Sequence, residues 1–511
     1  ALTRVPRGLG EGMDQSLIRV LSNALGLAPF DPLTCNMAET WNGPRPQELA
    51  EISRDPWRSN GDTVERLELL ANALINNPSR IKGEGLQKVL THIQTTIRPA
   101  VAACGPAEIS ALLAGLSGRR VKPGPSGAPT RGRLDVLPTG RNFYSVDNRA
   151  IPTPTAWALG EKSATALLTR HFQDTGQHLK TIGLSVWGTS NMRTGGDDIA
   201  QALALIGAKP MWDHASWRVN GFEITPLAKL GRPRVDVTLR ISGFFRDAFP
   251  AQIELLDKAF RAVAALDEDP ADNPMVGTLS AARIFGSKPG AYGAGLQALI
   301  DERIWETKSD LAAAYVTWGA YTYGAKDTGT NSEQLFKTRL AAIEAVIHNQ
   351  DNREHDLLDS DDYYQFEGGM SAAVETQSGN KPRSYHNDHS RPERPVMRTL
   401  EEEISRVMRS RVVNPKWITG IKRHGYKGAF EIAATVDYMF AFAATTGAVK
   451  SHHFDLAHEA FILDDETRRF IQENNPGALR EIAQRFEEAI ARGLWQPRLN
   501  SVYDELKGLQ K

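Results

Sequence analysis

Two segments of this chain each place a strand pattern directly before a helical one, and that order restricts the architecture more than any other feature. Ile182 to Trp187 is an apolar run closed by Gly188-Thr189-Ser190-Asn191, and Asp197 to Leu205 follows with helical character. Val235, Val237, Leu239 and Ile241 then alternate with Asp236, Thr238 and Arg240, and Ser242-Gly243 leads into a helix predicted over Phe244 to Ala265. Strands followed by helices imply a parallel sheet, whose ligands sit at the carboxyl ends of the strands. Thr189, Asn191, Arg193, Ser242, Arg246 and Asp247 are thereby candidates for one crevice. Residues of these types also serve as plain caps and turns.

Around those units the pattern is helical. Asp62-Thr63-Val64-Glu65 reads as a capping box that opens the apolar series Val64, Leu67, Ala71 and Leu74, which Pro78 ends. Lys122 to Pro138, rich in Gly, Pro and Arg, reads as a linker. Beyond Trp305 the chain turns helical again, and Leu479, Ile482, Phe486 and Ile490 form a core stripe. The fold class expected is α/β plus all-α: a helical region over 1–118, a Rossmann-like parallel-sheet domain over 119–285, and a mainly helical region over 286–511.

Lys and Arg number 60 against 61 Asp and Glu, so no basic excess attracts nucleic acid. Small molecules or proteins are the expected partners. Two cysteines, Cys35 and Cys104, build no disulfide framework and suit a reducing cytoplasm. The most apolar stretch, Ala429 to Val449, contains Glu431 and Asp437 and reads as a buried helix, so no membrane span is expected. The chain opens at Ala1 without methionine or signal peptide, and is read as a piece of something longer.

Chemistry concentrates in Asn349 to Gly369, where Asp351, Glu354, Asp356, Asp359, Asp361, Asp362 and Glu367 surround His355. That much negative charge repels itself unless something positive neutralises it. A solvated loop is the plain reading. Interleaved Tyr363, Tyr364 and Phe366 argue against it, and so does the spacing of His355 and Asp359, which would share a helix face. Tyr385-His386-Asn387-Asp388-His389-Ser390-Arg391 follows within a loop's length. Mixed imidazole and carboxylate donors suit cobalt, zinc or iron better than calcium. Neither segment has a closed zinc pattern, so an ion would be held loosely. The loop from Gly286 to Gly295, including Ser287 and Tyr292, can bring backbone close to a flat or anionic ligand. No Walker A sequence occurs, so the chain is not expected to hydrolyse ATP by itself.

Gly124-Pro125-Ser126-Gly127-Ala128-Pro129, the run Asp135 to Tyr144, Val186-Trp187-Gly188-Thr189, the Gly286 to Gly295 loop and Val413-Asn414-Pro415-Lys416-Trp417 resemble the CobN and magnesium chelatase H subunit family. Asn349 to Gly369 and Tyr385 to Arg394 favour its cobalt branch. The resemblance runs over nearly the whole chain but covers only the C-terminal part of the family's large subunit. It implies a tetrapyrrole-binding subunit for ATP-dependent insertion of Co2+ into hydrogenobyrinic acid a,c-diamide in aerobic cobalamin synthesis. CobS and CobT-type AAA+ partners would hydrolyse ATP with Mg2+. A magnesium chelatase H-type subunit and a non-catalytic tetrapyrrole or metal scaffold are the alternatives.

Metal insertion strips water from the ion, distorts the ring and removes two protons from ring nitrogens. Carboxylates and imidazole deliver metal and accept protons. His355, Asp359 and Glu354 are therefore the expected catalytic groups; His355, Asp356 and Asp359 the expected metal ligands; and His386 with His389 a second delivery station. Arginines grip carboxylates and aromatic rings cover the macrocycle face. Arg141, Arg193, Arg246, Arg391 and Arg394 are the candidate grips, and Trp187, Tyr292, Tyr363 and Tyr364 the candidate walls. Thr189, Asn191 and Ser287 complete the expected substrate contacts.

Overall fold

The computed structural model describes residues 16–77, 83–127, 129, 134–144, 146–278 and 281–509. Ala1, the helix stop expected at Pro78, and Ala128 of the family motif lie outside the described residues. The chain forms two compact units, one of residues 1–148 with 192–194 and one of residues 149–191 with 195–511.

The smaller unit is helical, as expected, and packs Leu17–Ala24, Asn60–Asn76 and Glu84–His92 around Leu21, Leu67, Leu74 and Leu90. Its capping box lies one turn earlier than predicted. The Ser59 hydroxyl accepts from the Asp62 amide at 3.2 Å, and the Asp62 carboxylate accepts from the Ser59 amide at 2.8 Å. Ser59-x-x-Asp62 and Asp62-x-x-Glu65 both fit the motif, and the upstream pair wins because Asp62 also reaches the Arg58 amide. β1 (Pro123–Pro125), inside the expected linker, pairs in parallel with β2 (Asn142–Tyr144), just beyond it. The absence of a membrane-length stretch is corrected here. Glu84–Leu116 is a helical run long and apolar enough to cross a membrane, although Pro99 and Pro106 interrupt its sequence. Its last segment, Cys104–Leu116, buries none of its residues.

The larger unit is built on a sheet. Its strands are β3 (Thr181–Val186), the separate hairpin β4 (Ala208–Trp212) and β5 (Val219–Ile224), β6 (Asp236–Ile241), β7 (Ile284–Gly286), β8 (Tyr321–Tyr323), β9 (Thr328–Asn331), β10 (Ala345–Gln350), β11 (Arg383–Asp388) and β12 (Val396–Thr399). The main sheet has the order β12-β11-β10-β3-β6-β7-β8-β9. β11, β10, β3, β6 and β7 are parallel, whereas β12, β8 and β9 are antiparallel at the two ends. The expected parallel sheet is thus mixed, and it continues past residue 286. The chain moves outward from β3 to β6 and β7, then returns to the other side of β3 with β10 and β11. Strand order reverses there, which opens a crevice at the carboxyl ends.

β6 alternates as predicted, yet every residue of it is buried. Its first polar residue is paired internally: Asp236 accepts from Arg283 Nε at 2.7 Å and from both Arg339 terminal nitrogens, at 2.6 and 2.9 Å. After β6, Ser242 caps the next helix through the Phe245 amide at 3.1 Å. The helix predicted over Phe244 to Ala265 is two helices, Gly243–Ala248 and Pro250–Ala264. Pro250 has no N–H to continue the first and begins the second. Leu479, Ile482 and Phe486 are buried in the core, with Ile490 packed against it.

Candidate functional site

The acidic segment begins where β10 ends. Residues 351–360 form irregular turns, so no helix aligns His355 with Asp359. Ser360 then caps Asp361–Tyr363, which continues as a π-helical turn, Tyr364–Gly368, and the helix Gly369–Ser378. His355, Asp356 and Asp359 nonetheless line one cavity of about 640 Å3, together with Glu354, Arg411 and Trp417. Gln350 and Asp388, the last residues of β10 and β11, also border it, which places it at the carboxyl edge of the sheet.

Arg411 neutralises this stretch. Its guanidinium donates to both Asp356 oxygens, at 2.7 and 2.8 Å, and stands 3.0 Å from Asp359 Oδ1. Burial and the neighbouring Asp356 charge still hold the Asp359 carboxyl above its usual range, with Arg411 opposing them. The Tyr363 hydroxyl lies 2.7 Å from His355 Nδ1 and orients that ring. Arg411→Met leaves two partly buried carboxylates without their cation. It is expected to lower stability by about 1–3 kcal/mol in urea unfolding, as for any buried polar pair that loses one partner.

His386 and His389 take different carboxylate neighbours. His386 lies on β11, paired in register with His348 on β10, and the two rings stack with centroids 5.4 Å apart. His386 Nε2 is 3.7 Å from Glu403 Oε1. Burial would raise the Glu403 carboxyl, but His386, Arg406 and Arg398 together bring it down to about 2. His389 lies beyond the strand, with Nδ1 3.1 Å from Asp197 Oδ2. Among the described residues, no three His, Cys, Asp or Glu side chains are grouped to hold a metal ion.

The expected substrate contacts divide into separate places. Trp187, directly after β3, packs on Phe366, Tyr363 and His348 with centroids 4.4, 6.3 and 6.2 Å away, in a layer of aromatic rings. Tyr364 is fully buried against Tyr438 and covers no open face, a correction. Asn191 donates at 2.7 Å to the Trp187 carbonyl and to Asp198, and Asn349 donates to Asp198 at 2.7 Å. Burial pushes the Asp198 carboxyl up to about 6. Thr189 and Arg193 lie on the same short helix, Gly188–Thr194.

Arg246, Ser287 and Tyr292 gather on the glycine-rich loop, and their polar groups are largely engaged there. Arg246 donates to the Lys288 and Ala291 carbonyls, at 2.8 and 3.0 Å, and pairs with Asp247 at 2.7 Å. The Tyr292 hydroxyl donates to Asp247 at 2.8 Å, and the Ser287 hydroxyl to the Ala291 carbonyl at 2.7 Å. The arginine that was expected to grip substrate thus clamps the loop. Arg391 and Arg394 share the β11–β12 connection. Arg141 lines a different cavity, of about 760 Å3, in the smaller unit.

Sequence reasoning missed His348, Glu403, Arg411 and the buried Arg240. The Arg240 guanidinium lies over Phe366 at 4.9 Å and donates to the Ile241 carbonyl at 2.7 Å. His348 carried one legible signal, since it follows the apolar Ala345-Val346-Ile347 three residues before Asp351.

An α/β sheet with an acidic, basic and aromatic cavity at its carboxyl edge accompanies a family match over residues 1–502, and the chain belongs to the CobN/Magnesium Chelatase family. It is 60% identical over 548 residues to the aerobic cobaltochelatase subunit CobN of Sinorhizobium sp, covering 100% of this chain and 43% of that protein. It is 56% identical over 523 residues to the subunit of the same name from Pseudomonas aeruginosa, covering 97% and 42%. The catalytic subunit of cobaltochelatase from Mycobacterium tuberculosis superposes with a TM-score of 0.84 at 43% identity, over 90% of this chain and 41% of that one. The chain therefore spans less than half the length of these relatives.

Proposed function

We propose that this chain is the part of a cobaltochelatase large subunit that brings metal and tetrapyrrole together, inserting Co2+ into hydrogenobyrinic acid a,c-diamide. The observation that carries this reading is the cavity at the carboxyl edge of the sheet, where His355 and carboxylates meet guanidinium groups and Trp417. A ring bearing carboxylates and amides around an apolar face needs that mixture. The sheet order is compatible with a Rossmann-like arrangement, with the cavity near its switch point. CobS and CobT-type AAA+ subunits would hydrolyse ATP with Mg2+ and drive the cycle in the cytoplasm.

In this reading the two ring protons leave as the nitrogens bond the metal, and His355 accepts them at the cavity wall. Tyr363 fixes which ring nitrogen of His355 faces the cavity. Asp359 and Glu354 pass protons on to solvent. Of the sequence-proposed metal ligands, Asp356 has both oxygens engaged by Arg411, which leaves it a holding role.

The test is absorbance and fluorescence titration of the chain with hydrogenobyrinic acid a,c-diamide, against protoporphyrin as competitor. Saturable corrinoid binding supports the reading. Preference for protoporphyrin would favour a magnesium chelatase H-type subunit, and absence of binding in the longer polypeptide as well would overturn tetrapyrrole chemistry here. In the assembled complex, His355→Ala is expected to slow insertion by about 10²–10⁴-fold, the usual scale for a lost general base, with ring affinity unchanged. Binding without insertion in any assembly would leave a scaffold.

A further inference from the structure

Behind the aromatic wall, polar atoms collect where the fold supplies no partner. His348 and His386 are register neighbours on parallel strands, so their side chains leave the sheet on the same face. Both are fully buried, and neither nitrogen of either ring has a hydrogen-bond partner. Glu367, fully buried on the π-helical turn that packs on β10, has neither carboxylate oxygen bonded. π-helical turns recur at functional positions because the additional residue redirects a side chain. Buried polar atoms are ordinarily satisfied, and leaving several together unsatisfied is unfavourable unless something else binds them.

We propose that His348 and His386 are the two protein ligands of a divalent transition-metal cation in transit, with Glu403, 3.7 Å from His386 Nε2, supplying opposing charge. This rests on the metal-insertion reading above and assigns the place where the ion waits. Two imidazoles with nearby carboxylates are a borderline-soft donor set, suited to cobalt or zinc and poorly suited to magnesium or calcium. Two protein ligands, rather than three or four, also fit an ion that must be surrendered.

One aromatic layer separates this pair from the cavity. Tyr363 touches His348, with ring centroids 5.0 Å apart, and bonds His355 on the cavity side. A cation leaving the pair exchanges two imidazole nitrogens for ring nitrogens. The ring then releases two protons, so charge is conserved as one divalent ion enters.

The test uses the 511-residue chain with Co2+ alone, followed by visible absorption, without tetrapyrrole or ATPase. Saturable binding of one ion is expected, weakened at least tenfold in His348→Gln and in His386→Gln, with far-UV circular dichroism unchanged. His458→Gln, a buried imidazole elsewhere, should bind as the parent does. X-ray absorption on the cobalt-loaded parent covers the case in which either variant fails to fold: two imidazoles in the shell support the assignment, and an all-oxygen shell overturns it. Absence of cobalt binding, or unchanged affinity in both folded variants, also overturns it. Those outcomes leave corrinoid binding untouched, whereas cobalt binding without corrinoid binding, in the longer polypeptide as well, would overturn the chelatase reading and keep the site.

Discussion

Asp236→Ala is expected to destabilise the larger unit by about 3–5 kcal/mol, the scale on which removal of one partner strands buried charge. Asp236 is nearly fully buried and pairs with both Arg283 and Arg339, which are also largely buried. Alanine leaves two guanidinium groups in the sheet without a counter-charge. Urea unfolding measures the loss, and a change under 1 kcal/mol would mean that water already screens the group. The same bridge sets an acid limit. Burial alone would raise the Asp236 carboxyl, but Arg339 and Arg283 bring it below its ordinary 3.8. A lowered native pKa contributes stability above the unfolded value, and that contribution is lost as pH falls through the native one. Acid unfolding in the parent should therefore steepen below about pH 4, by linkage, and Asp236→Asn should flatten that limb.

Gly160→Val is the second large effect. A Cβ at Gly160 would lie 2.6 Å from Ala200 Cβ and 2.7 Å from the Gln201 amide nitrogen, closer than atoms tolerate. The helices Pro154–Thr175 and Asp197–Ile206 meet there backbone to backbone. Valine forces them apart at an expected cost of about 3 kcal/mol, the upper range for overpacking. The second helix carries Asp198 and Gln201, which both accept from Asn349 at 2.7 Å, so its displacement reaches the end of β10. Thermal unfolding checks the first consequence. Weakened corrinoid binding in the folded fraction checks the second.

What the sequence made legible follows from period and locality. β3 and β6 were readable because apolar runs and period-two alternation sit directly beside turn residues and helices. β8 to β12 were not, since each has only three to six residues and β10 is apolar without alternation before its polar end. The acidic segment was readable as a site element, but its neutralising charge was not. Arg411 lies 55 residues from Asp356, and only the fold brings them together. The glycine-rich loop was readable as a place of close backbone approach, whereas Arg246 as its clamp depends on carbonyls 42 and 45 residues away. His386 was found and its partner His348 was not, because pairing between parallel strands leaves no local spacing to read.

The adjoining polar pairs on β10 and β11 also bear on how this sheet reaches one alignment. Parallel strands buried on both faces are so uniformly apolar that hydrophobic pattern alone does not distinguish one sliding position from the next. Asn387 donates to Asn349 at 2.8 Å on one face, while His386 meets His348 on the other. A slip of one residue separates both pairs and sets Asn349 opposite Asp388 or His386 instead. A single buried asparagine fixes the alignment of a coiled coil in the same way, so these two steps of β10 and β11 act as a vernier that admits one setting of the strands.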